Sequence, residues 1–577
     1  MEHRPSLADR LVFLFARSHA ERVYRRFMAA TRQARREQEQ TLLAKIRRNA
    51  DSEFGRRFGF EQIRSAADFV RRVPILRYED HQPYIERVKA GDLRALFGPR
   101  QRVLMFALSS GTTAEPKYIP VTQPFLAEYR RGWNAFGIKA MLDHPAAFLR
   151  GIVQISSRMD ESCTSAGIPC GAITGLMAAT QKRLVRKYYL SPACLARIDD
   201  AAAKYYTIMR LAVPADPAFI VAANPASMLK LARTADTHRD QLIRDIHDGT
   251  LRQDLPVSAE IRQLLRPRLR ALPAVARRLE ELVAEHGQLL PRHYWNLAFL
   301  ANWTGGTMSL YLRDYPHYFG DVPVRDIGLL ASEGRVSVPV DDGTPGGILD
   351  VAGGFFEFIP RDRIGEPSPR AYRCHELELG QEYFVILTTS AGLYRYDLGD
   401  LVRVTGYIHE APLIEFLNKG GRTCSLAGEK LTEHQVILAM EQARRQCALG
   451  VANFVLAPQW ADPPGYLLHV GGDEPGVADR AEDLVAALDV ALCRVNIEYA
   501  GKRQTDRLAA VRVNLLPPGF LADLDRREAD RYRRSNEQYK HQYLLTAPGQ
   551  DDAFPRAAAV TPSRPHPTAA RGPDWPI

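Results

Sequence analysis

A six-residue apolar run, VLMFAL at 103–108, gives way without a spacer to Ser109-Ser110-Gly111-Thr112-Thr113, and Lys117-Tyr118-Ile119-Pro120 closes the segment. A short, bounded apolar run of this kind reads as a buried strand. It therefore delivers a small, hydroxyl-rich turn to the edge of a core. One glycine among small residues lets the backbone bend sharply and aim N–H groups outward, hydroxyls add donors, and a lysine four residues on supplies positive charge. That combination suits a phosphate chain. It is not the common phosphate loop, because Gly-x-x-x-x-Gly-Lys-Ser/Thr is absent. Taken alone, the segment reads equally well as an ordinary turn.

The chain has 577 residues. A single core stops growing near roughly 300 residues, so at least two domains are expected. Hydrophobic residues make up 46% and charged residues 25%, in keeping with soluble globular proteins. No apolar run approaches the roughly 20 residues of a membrane span. Leu11–Ala16 is too short for a signal-peptide core. Neither export nor a membrane anchor is expected. The seven cysteines are scattered and form no Cys-x-x-Cys, which argues against a disulfide scaffold or zinc site and for a reducing cytoplasm. The net charge of +10 raises the question of nucleic acid. The arginine runs at 22–36, 262–278 and 526–534, however, are interleaved with acids or leucines, as on solvated helices. No nucleic-acid partner is expected. Most basic residues are arginine, so Lys117, Lys430 and Lys540 stand out, since a compact ammonium does at phosphates what a planar fork cannot.

Residues 1–50 read as helical, as do 124–145 and 258–286. From 297 to 410 the pattern turns strand-like, with FFEFIP (355–360), YFVILTT (383–389) and LVRVTGYI (401–408). After Gly420-Gly421 a helix–strand–strand–helix–strand pattern of about 120 residues suits a small second domain. The last ~30 residues lack hydrophobic periodicity and read as a disordered tail. The organisation expected is a large domain over 1–420, a small one over 421–545, and a tail over 546–577.

Two further motifs carry chemistry. In Gly392-Leu393-Tyr394-Arg395-Tyr396-Asp397-Leu398-Gly399-Asp400 an aspartate at a strand edge can accept two hydrogen bonds from a ribose diol, or simply make an Asx turn. In Ala331-Ser332-Glu333-Gly334 a turn carboxylate can hold magnesium through oxygen, although an acid in a turn is commonplace.

In this order and spacing the three motifs resemble those of the adenylate-forming superfamily, and within it the auxin-responsive Gretchen Hagen family of acyl acid amido synthetases. The family's loop reads Ser-Ser-Gly-Thr-Thr/Ser and then Lys-x-x-Pro, as at 109–120. Phe355–Pro360, Gly392–Val404, Gly428-Glu429-Lys430, Asn496–Arg503 and Gln538-Tyr539-Lys540 also resemble its signatures, so the likeness spans about 30–545. Plant members have Tyr-Ala-Ser-Ser-Glu where this chain has Leu329-Leu330-Ala331-Ser332-Glu333, so that tyrosine is missing while the glutamate is kept. The arginine bias points to a bacterial member.

The resemblance implies an α/β fold. A large N-terminal adenylate-forming domain, with mixed sheets, flanking helices and a β-rich part, would precede a small mobile C-terminal α/β domain hinged near Gly420-Gly421. It implies an ATP-dependent ligase that joins a small-molecule carboxylic acid to an amine or amino acid through an acyl-adenylate, working as a cytoplasmic monomer. Ser109, Ser110, Gly111, Thr112 and Thr113 would take the phosphates of ATP, Asp400 the ribose, Tyr394 would shape the nucleotide pocket, and Glu333 would hold Mg2+. Lys430 and Lys540 are the candidate catalytic lysines. Tyr129, Arg130 and Trp133 are candidates for the acyl pocket, and Lys117 for a structural pair with Glu115. Two alternatives stay open. One is a ligase passing the acyl group to a thiol such as coenzyme A; the other is a nucleotide-binding docking protein without chemistry.

Overall fold

The computed structural model describes residues 7–556 except 110–116, 182, 306–307, 367, 421–422, 425, 428, 430, 474, 505 and 532–540. The described chain divides at Lys419/Gly420 into two compact units. Among the described residues no helix is long and apolar enough to cross a membrane.

The first unit opens with helices Leu7–Thr31 and Ala34–Arg48. Strand Val103–Ser109 forms as its apolar run requires and pairs antiparallel with Lys117–Thr122, the register placing Ser109 opposite Lys117. Thr122 then caps the helix Gln123–Asp143. Its hydroxyl oxygen accepts from Phe125 N–H, and Pro124 fits the first turn, where its missing N–H costs nothing. The same hydroxyl donates to Ser390 O at 2.7 Å, which ties the helix start to the large sheet.

The unit also holds two larger sheets besides the short pair 330–331 and 334–335. Gly151–Gln154, Pro217–Val221, Phe299–Asn302 and Val324–Asp326 pair in parallel in that order, and the helices between 201 and 286 cover them around a core of their own. The second sheet has seven strands, all antiparallel: 337–338, 346–349, 411–419, 396–408, 382–388, 355–360 and 372–373, in spatial order. Its inner face meets the N-terminal helices and the helix Gln123–Asp143 in the larger core. The stretch 258–286 expected as helical is two helices, Ala259–Leu265 and Pro273–His286. Proline at 267 and 273 cannot continue a helical ladder.

The second unit packs helices Glu433–Gln446 and Ala481–Val495 with the sheet Phe454–Gln459, Gly465–Gly471 and Arg512–Leu516. A mixed α/β fold with a separate smaller C-terminal unit is thus what the chain adopts. The expected tail needs correction. Residues 546–556 are folded onto this sheet, with Asp551 1% exposed and Phe554 buried. Asp551 binds His469 Nε2 at 2.8 Å, and Asn514 Nδ2 donates to Pro555 O at 2.8 Å. One buried carboxylate with polar partners does here what apolar periodicity does elsewhere. Residues 557–577 lie outside the described residues.

Candidate functional site

Three elements of the first unit converge on the open end of the strand pair 103–109 and 117–122. From the second strand, Lys117 Nζ donates to Tyr396 Oη at 3.3 Å and lies 5.3 Å from the centre of the Tyr78 ring and 5.9 Å from that of Tyr396. Among the described residues this lysine has no carboxylate partner; Glu115, expected beside it, lies outside them. Tyr78 opens the helix Tyr78–Lys89, and its hydroxyl accepts from Tyr118 N–H at 2.8 Å. Tyr396 opens the strand Tyr396–Ile408 and is held by a bridge to Leu76. Two tyrosines thus seat the ammonium on the strand end that stands opposite Ser109.

Glu333 sits in the same neighbourhood. Ala331 pairs with Gly334, so Ser332 and Glu333 form a two-residue hairpin turn. The Glu333 carbonyl accepts from Thr389 Oγ1 at 3.1 Å, while no described group donates to its carboxylate although the residue is only 4% exposed. Its charge reaches three tyrosines. Burial first and Glu333 next raise Tyr396; burial pushes Tyr78 up to about 12, with Glu333 contributing. Tyr129 is likewise pushed to about 12 by burial, Arg335 opposing and Glu333 adding. Asp397 is raised by burial, with Asp400 also raising it and Lys117 lowering it, so this strand brings Asp400 near the same end. Asp400 itself is buried and pairs in register with Lys419.

The other sequence candidates fare differently. Ser109 ends its strand, while Ser110, Gly111, Thr112, Thr113, Lys430 and Lys540 lie outside the described residues. Tyr394 is not a pocket residue but a core one. Asn49 Nδ2 donates to its hydroxyl at 2.8 Å, Phe54 stacks on its ring and Phe60 meets it edge-on, both at 4.9 Å. Strand side chains alternate between faces. Tyr394, however, precedes the strand in the turn, so its direction does not follow that of Tyr396, the tyrosine that meets Lys117. Arg130 is also redirected: it donates to Thr180 O at 2.8 Å and to Thr180 Oγ1, which ties its helix to the next. The guanidinium over Trp133 belongs to Arg335, 5.0 Å from that ring and 5.8 Å from Phe136. Tyr129 is buried on the same helix.

Residues that sequence reasoning passed over are Tyr78, Tyr396, Arg335 and Asp350. Tyr396 lies within a quoted motif, and Arg335 two residues after Glu333, so proximity could have marked both. Asp350 carried no signal.

The family model for the GH3 family N-terminal domain matches residues 23–324, that for the central domain 347–419, and that for the C-terminal domain 434–548. The jasmonoyl–L-amino acid synthetase JAR4 of Nicotiana attenuata is 25% identical, the match covering 86% of this chain and 89% of that protein. The indole-3-acetic acid-amido synthetase GH3.8 of Oryza sativa subsp. indica is 26% identical over 92% of each. Among solved structures, an AtGH3.15 acyl acid amido synthetase in complex with 2,4-DB superposes with a TM-score of 0.79 at 20% identity, covering 92% of this chain and 95% of that one. With three consecutive family models spanning both units, the chain belongs to the GH3 family.

Proposed function

We propose that the chain is an ATP-dependent acid–amino acid ligase whose adenylation site is the convergence of Lys117, Tyr78, Tyr396 and Glu333, with Ser109 to Thr113 assigned to the phosphates. The chemistry has two halves. A carboxylate oxygen bonds to the α-phosphorus of ATP as the bond to the bridging oxygen breaks, and pyrophosphate leaves. The amine nitrogen then bonds to the acyl carbon, the carbon–oxygen bond to AMP breaks, and the amine proton is released. The first half replaces oxide, a hopeless leaving group, by AMP. It demands alignment and charge neutralisation more than covalent help from the protein.

The observation that carries this reading is the lysine seated on two tyrosines beside a buried carboxylate that receives no hydrogen bond from the described residues. Lys117 supplies a fixed positive charge where phosphates would arrive, and a tyrosine seat holds an ammonium without cancelling it, as a carboxylate would. Asp400 would accept from the ribose, and Lys430 and Lys540 are the lysines we assign to the transferring phosphates. Glu333 fits magnesium: the ion takes one or two carboxylates and completes its shell with phosphate oxygens and water. When bound there it would neutralise phosphate charge. Among the described residues no cluster of three ligating side chains offers an alternative site. Relatives named as amino acid synthetases favour an amine over a thiol as acceptor. Seven free thiols and a need for ATP agree with a cytoplasmic setting.

Carboxylate-dependent exchange of pyrophosphate into ATP tests the first half, and mass detection of amide against thioester, with amino acids and coenzyme A offered together, tests the second. Mn2+ titration followed by electron paramagnetic resonance, with ATP present, tests the metal separately: Glu333→Gln should weaken Mn2+ binding at least tenfold. No exchange with any acid would overturn the reading.

A further inference from the structure

Next to the Glu333 turn lies a cavity of about 10 Å³, whose border includes Phe125, Glu128, Tyr129, Gly334, Arg335, Asp350 and Thr389; the Glu128 carboxylate is already bonded to Lys45 Nζ and Ser390 Oγ. That is the space of one water-sized oxygen. Its walls are chemically unfinished. Arg335, 4% exposed, donates through Nη2 to Ile327 O at 2.7 Å, but among the described residues its Nε and Nη1 have no hydrogen-bond partner. Among the same residues Asp350, 1% exposed, has no hydrogen-bond partner on either carboxylate oxygen. No ion pair joins the two. Burial lowers the guanidinium to about 10 and raises the carboxyl, as expected of charges held out of water. Unpaired buried polar groups are costly, charged ones most of all, so an arrangement with several is incomplete without something between them.

The helix is shaped to keep this gap. A side chain at Gly132 would collide with Arg335 Cδ and come within 3.1 Å of Asp350 Oδ2, so glycine there is what lets both charged groups lie under the helix. Donors on one wall and acceptors on the other, one oxygen apart in volume, fit a group that both accepts and donates. A carboxylate would be repelled by Asp350, an ammonium by Arg335, and a zwitterion is far larger than the space.

We propose that the cavity receives a hydroxyl group of the acid substrate, its oxygen accepting from Arg335 and its proton donated to Asp350, so that the enzyme selects hydroxylated aromatic carboxylic acids. This rests on the adenylation reading, since Gly334 and Thr389 join the cavity to the Glu333 turn; only the hydroxyl would enter the cavity, and the body of the acid would lie outside it, towards that turn. A site built to bond a hydroxyl rejects the analogue lacking it, because the protein groups are then left unpaired.

The test is pyrophosphate exchange by the full chain with matched acids: benzoate, phenylacetate and cinnamate, each beside its ring-hydroxylated isomers. The expected result is one hydroxylated isomer favoured over its parent at least 100-fold in kcat/KM. In the double variant Arg335→Leu/Asp350→Leu, which removes both charges together and so leaves neither stranded, that preference should fall below fivefold. The wild-type series stands on its own if the variant does not fold. Exchange with hydroxylated and parent acids alike would mean that the cavity holds a fixed water only and would overturn the inference while leaving the adenylation reading intact. Exchange with no acid would overturn both.

Discussion

Arg395 and Glu357 stand in two of the motifs that mark the family, and in the structure they bond to each other. Arg395 Nε and Nη2 each donate to a Glu357 carboxylate oxygen at 2.9 Å, and Nη1 donates to Val73 O at 2.8 Å and Val70 O at 3.3 Å. The side chains are 6% and 1% exposed. Arg395 also holds φ +43°, a left-handed conformation that a β-carbon disfavours, so the pair and the two carbonyls keep a turn closed against its own preference. Removing one partner strands a buried charge, at about 3–5 kcal/mol. The first unit runs from Met1 to Lys419. At about 2.1 cal/mol/K per residue, its unfolding entropy is roughly 0.9 kcal/mol/K. Glu357→Leu should therefore lower the midpoint of that unit by about 3–6 °C in a calorimetric scan. Arg395→Met should do the same, and the double variant should fall by less than the sum of the two, because a buried pair replaced by apolar groups strands nothing. Strict additivity, or a single-variant shift below about 1 °C on the same entropy scale, would refute the account of the pair as a fixed buried bond.

Three further outcomes are expected. Lys117→Met should reduce pyrophosphate exchange by about 10²–10³-fold in kcat, the usual cost of losing one preorganised donor. His81 is buried, with Nδ1 bonded to Arg77 O and Nε2 accepting from Tyr394 N–H, and burial depresses it from 6.5 to about 4. Its contribution is present above pH 6.5 and lost as pH falls towards 4, an effect on the order of 3 kcal/mol that urea midpoints across that window should register and that His81→Phe should flatten. Asp551→Ala should loosen residues 546–556, seen as faster amide exchange in that segment and in the strand Gly465–Gly471 that carries His469, while the first unit's melting is unmoved.

What the sequence made legible follows its patterning. VLMFAL announced a strand because an apolar run so short can hardly be a helix, and the arginine-rich helices announced themselves by their period. The parallel strands 151–154 and 217–221 did not, because so few residues, buried on both faces, carry no alternation. Glu333 was legible as an acid in a turn, but its surroundings were not: Tyr78 and Tyr396 stand near opposite ends of the first unit's sequence and meet only through the bridge at Leu76. Tyr394 was drawn into the pocket because it shares a motif with residues that line it. Arg335 and Asp350 became visible as a pair only when a hairpin, a strand end and one helical glycine were assembled around them. The segment 546–556 looked like tail because its anchors are one carboxylate and one ring, Asp551 and Phe554, rather than a stripe of leucines.

Gly132 gives this arrangement an evolutionary edge. Every glycine codon is one base away from an alanine codon, and the first carbon that alanine adds falls on Arg335. A single nucleotide change would thus push the guanidinium off its place beneath the helix while leaving Lys117, Glu333 and Asp400 unaltered in sequence. Position 132 is where a lineage carrying this scaffold would most directly redraw the set of acids it accepts, and comparing natural variants there should separate descendants by diet rather than by catalytic competence.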